Sequence, residues 1–323
     1  MRFVVVGAGA VGGVVGGRIA QHGTDVVFVA RGAHGRAIAE RGLLIESADG
    51  SVRVDVPVAP SIGEVAFAAG DAVLLAVKSQ DTERALDELR AVAPDDTPIV
   101  CLQNGVANER SALRLFPHVY GVCVMCPSGY LEPGVVQAYA SPTAAILDIG
   151  RYPTGVDATA ESIADLFGAA TLVAVPQPDI MRWKYAKLLM NLLNAVDALF
   201  AASDASKRIV EILRAEGEAV LRAAGIDFAS KEEDKARRGD ILRHKPIDGR
   251  LRTGSTSWQS LARGTGSIES DYLNGEIVVL GRLHGTATPA NALIQQWARR
   301  AAAAGTPPAS VDAEDFLAAL TVS

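Results

Sequence analysis

The sequence predicts an α/β protein in two parts: a doubly wound dinucleotide-binding domain over residues 1–178, then an all-helical domain over residues 179–323. Three observations carry this. Apolar β-rich runs alternate with helical stretches through the first half, the pattern of a parallel sheet covered on both faces. A glycine fingerprint, GAGAVG, follows the first of those runs. After PQPD (176–179) the β-rich runs cease and helical periodicity takes over. At 323 residues the chain also exceeds what one hydrophobic core ordinarily serves.

In chain order, RFVVV leads into the glycines and a helix, and DVVFVA precedes the helical AHGRAIAERG. LLIESADGSVRVDVPV reads as a hairpin with an Asp-Gly turn. DAVLLAV precedes DTERALDELRAVA, and PIVCLQ precedes ANERSALRLF. HVYGVCVMCP, GVVQAYA and AAILDIG are expected to extend the same sheet, with TLVAVP closing it. In the second half one helix runs through Phe200, and another covers Ser206 to Ala224 with Gly225 as its stop. Helical stretches follow around Trp258, from Tyr272 to Leu283 and from Pro289 to Ala304. The intervening charged run KEEDKARRGD reads as a solvated face.

Composition narrows the function classes. With 49% hydrophobic and 21% charged residues and a net charge of −6, the chain is globular and lacks the broad basic surface that nucleic acid requires. A local positive pocket for a small anion remains compatible with that balance. The start of the chain is a strand running into glycines, not a signal peptide. The most apolar helical stretch, Tyr185 to Phe200, is shorter than a bilayer crossing and carries a Lys, two Asn and an Asp. A cytoplasmic protein without membrane or nucleic-acid partners is expected. Three cysteines cannot form a full disulfide framework, and Cys123 and Cys126 sit in a strand, where residues three apart face opposite ways. With the five histidines scattered, no metal site is expected.

Gly7, Gly9 and Gly12 lie between a strand and a helix at the N-terminal βαβ position of a Rossmann dinucleotide site, where they permit a tight turn and let a pyrophosphate rest on the helix N-terminus. Gly13, Gly16 and Gly17 also weaken that helix, at about 1 kcal/mol each, for no reason visible in the sequence. The second strand ends at Arg31, where an Asp or Glu would serve the ribose hydroxyls of NAD. A guanidinium suits a 2′-phosphate, which indicates NADPH; the alternative is a surface Arg after a strand. Lys78 and Asn104 end two further strands, on the side where doubly wound sheets hold ligands. Asn104 precedes Gly105, so turn chemistry explains it equally well.

KLLMNLLN (187–194) interrupts an apolar helix with Lys187, Asn191 and Asn194, spaced i, i+4 and i+7 on one face. Desolvation there would lower the pKa of Lys187 toward acid–base use. The alternative is a lysine snorkelling to water while the asparagines bond a neighbouring helix. Lys184, near the helix start, is expected to be exposed. In the polar stretch GSTSWQSLARGTGSIESDYLNGE, Ser257 and Glu269 are the further candidates. A capping box of Thr256 with Gln259 and an acidic helix start at Glu269 are their structural alternatives.

Across nearly its whole length, from GAGAVG through ARG, LLAVKS, LQNGV and KLLMN to SIESDYLNG, the chain resembles the ketopantoate reductases (2-dehydropantoate 2-reductases). The resemblance implies a Rossmann domain, a helical domain and an active site in the cleft between them. It implies NADPH as cofactor and a small 2-oxo acid as substrate. Lys187 matches the proton donor and Glu269 the acidic residue near the reacting hydroxyl. Asn191 and Ser257 match substrate ligands, and Asn104 the asparagine at the cleft. Arg31 and Lys78 match contacts to the NADPH 2′-phosphate. Two departures stand out. Asn194 follows Asn191 by three residues where the family has four, a rotation of about 100° on a continuous helix. Trp258 and Leu261 replace the family's Met and Asp after the serine, which opens the alternative of another 2-oxo acid or a bulkier ketone. A non-catalytic dinucleotide sensor is the alternative of a different class, and a homodimer is left open by the sequence.

Overall fold

Phe3 and Val5 project to one face of a strand and Val4 and Val6 to the other, and all four are buried, which requires cover on both sides of the sheet. In the computed structural model, which describes residues 1–322, that strand lies inside the main sheet of the first of two compact units. This unit comprises Met1–Gln103, Ala107–Lys184 and Lys231–Arg252. The second comprises Asn104–Val106, Tyr185–Ser230 and Thr253–Ser323.

The elements of the first unit are β1 (Arg2–Val6), α1 (Ala10–Gln21), β2 (Val26–Val29), α2 (Gly32–Arg41), β3 (Leu43–Ser47), β4 (Gly50–Val54), β5 (Val58–Ala59) and β6 (Asp71–Leu75). They continue with α3 (Thr82–Arg90), β7 (Ile99–Cys101), α4 (Asn108–Leu113), β8 (Val119–Met125), β9 (Ser128–Gly129), β10 (Val135–Ala138), β11 (Ile146–Arg151) and α5 (Ala158–Ala169). The main sheet has seven strands in the order β11-β8-β7-β6-β1-β2-β5. All its pairings are parallel except β11 with β8. Because β1 is flanked by β2 on one side and β6 on the other, the strand order reverses there, and the crevice beyond its carboxyl end is the ligand position of such sheets.

Two sequence expectations are corrected by a second sheet, ordered β4-β3-β10-β9. GVVQAYA does not extend the main sheet: its β10 pairs in parallel with β3, Val135 opposite Leu44. TLVAVP forms only isolated bridges beside β11, at Val173 and Pro176. The expected hairpin is present as β3 and β4, Leu43 opposite Val54. The second sheet also explains the glycines of α1. A Cβ on Gly16 would lie 2.8 Å from the Phe28 ring, under the main sheet, and one on Gly17 would lie 2.7 Å from Ile45 Cδ1 of the second sheet. The helix is pressed between two sheets at distances that no side chain permits, which outweighs its poor intrinsic propensity.

The helices that follow are α6 (Ile180–Asn191), α7 (Leu193–Leu199), α8 (Asp204–Ala223), α9 (Lys231–Arg238), α10 (Thr256–Ala262), α11 (Asn274–His284), α12 (Pro289–Ala304) and α13 (Ala313–Val322). α9 belongs to the first unit, so its charged run is not simply a solvated face. Arg237 Nε donates to the buried Asp148 carboxylate at 2.7 Å, and Arg182 pairs with Glu233 at 2.8 Å. In the second unit α8 starts with a reciprocal cap between Ser203 and Ser206, while α12 starts with Pro289 and stops at the left-handed Gly305. Phe200, Trp297 and Phe316 form an aromatic cluster, the last two edge-on at 5.3 Å between ring centroids. Among the described residues no helix is long and apolar enough to cross a membrane.

Candidate active site

The glycine loop of the first unit begins where β1 ends. Gly7 takes φ +103°, open to glycine alone, and a Cβ on Gly12 would stand 2.0 Å from the Gly7 carbonyl oxygen. Gly9, the N-cap of α1, has no neighbour within 4 Å of a built Cβ, so its backbone is bare to an incoming group. Beside this loop lies a cavity of about 180 Å³ whose lining includes Gly7, Ala8, Arg31, Ser61, Val77 and Glu88. A tight turn, a bare helix N-terminus and an arginine in one wall fit a nicotinamide dinucleotide with its phosphates at the loop. Lys78, half-buried before a 3₁₀ turn (Ser79–Asp81), is not part of that lining.

Sequence reasoning passed over His34, which lines the same cavity. Its Nδ1 accepts the Gly134 N–H at 2.9 Å, so the ring proton sits on Nε2, which donates to the Ala8 carbonyl at 2.7 Å. The ring lies against Tyr130, centroids 4.3 Å apart. His34 thereby ties the glycine loop to α2 and to the segment before β10. Burial holds its pKa below the ordinary histidine value. A lone histidine in a helix carries no spacing signal, so only the fold reveals this role.

Lys184 corrects an expectation of exposure. Its side chain is buried in the first unit, 2.7 Å from Glu109 Oε1, and Nζ also donates to the carbonyls of Gln103 and Val122 at 2.9 and 3.1 Å. Lys187, three residues on, is half-buried and belongs to the second unit.

The other candidates of the second unit are drawn inward. Asn191, Asn194, Ser257 and Glu269 are all buried, Glu269 opening a 3₁₀ turn (Glu269–Asp271). Asn191 Nδ2 donates to Asn104 Oδ1 at 3.0 Å, so two polar positions 87 residues apart meet. Gly105 has φ +80°, so the turn reading of the Asn-Gly pair holds as well. Only Leu192 separates α6 from α7, and it keeps helical dihedrals (φ −58°, ψ −28°) with its N–H 3.2 Å from the Leu188 carbonyl, so the expected helix runs on and Asn194 has the phase of a continuous helix. Beside Leu192, Asn274 Nδ2 approaches its carbonyl at 3.4 Å and donates to Asn291 Oδ1 at 3.1 Å, while Glu216 accepts the amides of Ala290 and Asn291 at the start of α12.

The cap of α10 lies one residue earlier than expected: Ser255, not Thr256, accepts the Trp258 N–H. The Trp258 indole folds over its own loop, so that a Cβ on Gly254 would lie 2.3 Å from the ring. Ser257, on the first turn of α10, is 2% exposed, and Asn194 is 8% exposed. Neither side chain has a hydrogen-bond partner among the described residues. Their polar atoms are not fully closed off from solvent, so each stays open to an incoming partner.

The remaining reactive groups are quiet. The cysteines are free; burial pushes the Cys126 thiol to about 11 and that of Cys101 well up, which keeps both protonated. No cluster of His, Cys, Asp and Glu able to hold a metal ion occurs among the described residues.

Comparison with known proteins bears on the family and the fold. The family model "Ketopantoate reductase PanE/ApbA" matches residues 3–152 and its C-terminal counterpart residues 179–302. A 2-dehydropantoate 2-reductase of Pyrococcus horikoshii is 29% identical over 307 residues, covering 92% of this chain and 96% of that one. The crystal structure of a PanE/ApbA family ketopantoate reductase from Ralstonia eutropha JMP134 superposes with a TM-score of 0.78 at 26% identity, covering 94% of this chain and 99% of that one. D-mandelate dehydrogenase, solved with NADH and anilino(oxo)acetate, shares the fold with a TM-score of 0.80 at 22% identity, covering 94% and 99%. With both family models matched in order over most of its length, the chain belongs to the ketopantoate reductases of the PanE/ApbA type, a family of oxidoreductases.

Proposed function

We propose that the protein reduces 2-dehydropantoate to pantoate with NADPH, residues 1–178 serving as the dinucleotide domain and 179–323 as the substrate domain. The observation that carries this reading is the pair of buried, unpartnered side chains of Ser257 and Asn194 in the same unit as Lys187, Asn191 and Glu269. Hydroxyl and amide donors without protein partners call for a ligand rich in acceptors, and a 2-oxo acid offers a carboxylate and a ketone.

The bound nicotinamide supplies the hydride that reaches the keto carbon. Lys187, as an ammonium, stabilises the negative charge growing on the carbonyl oxygen and gives that oxygen a proton from Nζ, leaving a neutral amine. Glu269 orients the nascent hydroxyl and restrains the amine. Asn191, held by Asn104, and Ser257 fix the substrate. Arg31 grips the 2′-phosphate of NADPH, seconded by Lys78.

The measurement is loss of NADPH absorbance on adding 2-dehydropantoate, then a panel of other 2-oxo acids. Turnover with 2-dehydropantoate is the expected result. Preference for a bulkier ketone would favour the second reading, whose motive weakens because Trp258 packs on Gly254. Silence across the panel would leave a dinucleotide sensor.

A further inference from the structure

α10 has only seven residues, too few for its own backbone bonds to hold it in place. What fixes it is a joint with α7. Asp197 Oδ2 accepts the Ser255 N–H at 2.6 Å, a short charge-assisted bond. Ser255 Oγ donates to the Asn194 carbonyl at 3.2 Å and accepts the Trp258 N–H at 3.2 Å. Asn194 and Asp197 are i and i+3 on α7, so they share the face that meets α10. The joint thus has the unpartnered Asn194 amide at one end and the unpartnered Ser257 hydroxyl two residues beyond Ser255 at the other.

We propose that Asp197 is a positioning residue of the substrate site. It registers the first turn of α10 against α7, so that the Ser257 hydroxyl and the Asn194 amide converge as two donors on one acceptor group, the carboxylate end of a 2-oxo acid. This rests on the functional reading given above.

The residue acts through backbone position, so substrate binding should suffer while cofactor binding does not. Asp197→Ala should raise KM for the keto acid about tenfold with kcat little altered, the signature of lost binding common to ground and transition states. KM for NADPH should stay within about twofold. Asp197→Asn keeps an acceptor oxygen and should recover most of the loss. Amide hydrogen exchange should quicken at residues 255–258 in the alanine variant and stay near wild type in the asparagine variant. An unchanged keto-acid KM in Asp197→Ala, or a parallel rise in both KM values that follows the loss of Tm, overturns the proposal. Wild-type silence toward every 2-oxo acid is a different failure, seen without any variant, and it removes the functional reading and this inference together.

Discussion

Lys184 and Glu109 form an ion pair 2.7 Å apart, with 2% and 0% of their side chains exposed. No other group donates a hydrogen bond to the Glu109 oxygens among the described residues, so Lys184 alone compensates that charge. Lys184→Met should therefore destabilise the protein by about 3–5 kcal/mol, since it strands a buried carboxylate. Removing both charges in Lys184→Met/Glu109→Leu should restore most of the loss. Urea denaturation of the wild type and the two variants decides it, and a double variant no better than the single one would contradict this account.

The His34 bond pattern predicts a pH dependence. Burial lowers its folded-state pKa, so the folded protein refuses a proton that the unfolded chain accepts. The contribution is complete above the ordinary histidine value of about 6.5 and is lost as pH falls from there through the folded value. Protonated Nδ1 would also face the Gly134 N–H, two donors with no acceptor. The stability difference between wild type and His34→Ala should shrink on acidification through that window. Denaturant titrations at a series of pH values measure it, and a constant difference would mean that folding leaves the His34 pKa unchanged.

Lys187→Ala should cut kcat by about 10²–10⁴-fold, the usual scale for a lost general acid. NADPH affinity, read by fluorescence titration, should hardly move. Near-normal turnover would remove Lys187 from the chemistry.

Arg31→Ala tests the cofactor. NADPH should bind about tenfold or more weakly while NADH is little affected, because only the former carries the phosphate. Equal loss for both would show that Arg31 supports the cavity without reading the phosphate. Glu88 lines the same cavity, which makes the contrast informative.

Local signals were legible in the sequence, and pairings between distant segments were not. The glycine fingerprint works over six residues, and it predicted the turn, the helix start and the strand before it. The assignment of β10 to a sheet depends on Leu44 meeting Val135, which no local pattern encodes. On α6 the periodicity found a polar face but could not say which lysine was buried. Lys184 is buried because Glu109 and the Val122 carbonyl, far away in sequence, are its neighbours. The Asn194 spacing was legible, because Leu192 keeps helical dihedrals and the helix runs on. Asn274, some 80 residues downstream, reaches the Leu192 carbonyl, a contact that no local pattern announces.

The helix squeezed between two sheets has a consequence for synthesis on the ribosome. α1 emerges well before β10, yet one wall of its slot includes β10, whose pairing with β3 awaits residue 135. Until then a glycine-rich segment of low propensity lacks part of its cover, so the mononucleotide half cannot mature as an independent early folding unit. A nascent chain arrested before Val135 should be cut by protease within α1, where the finished protein resists.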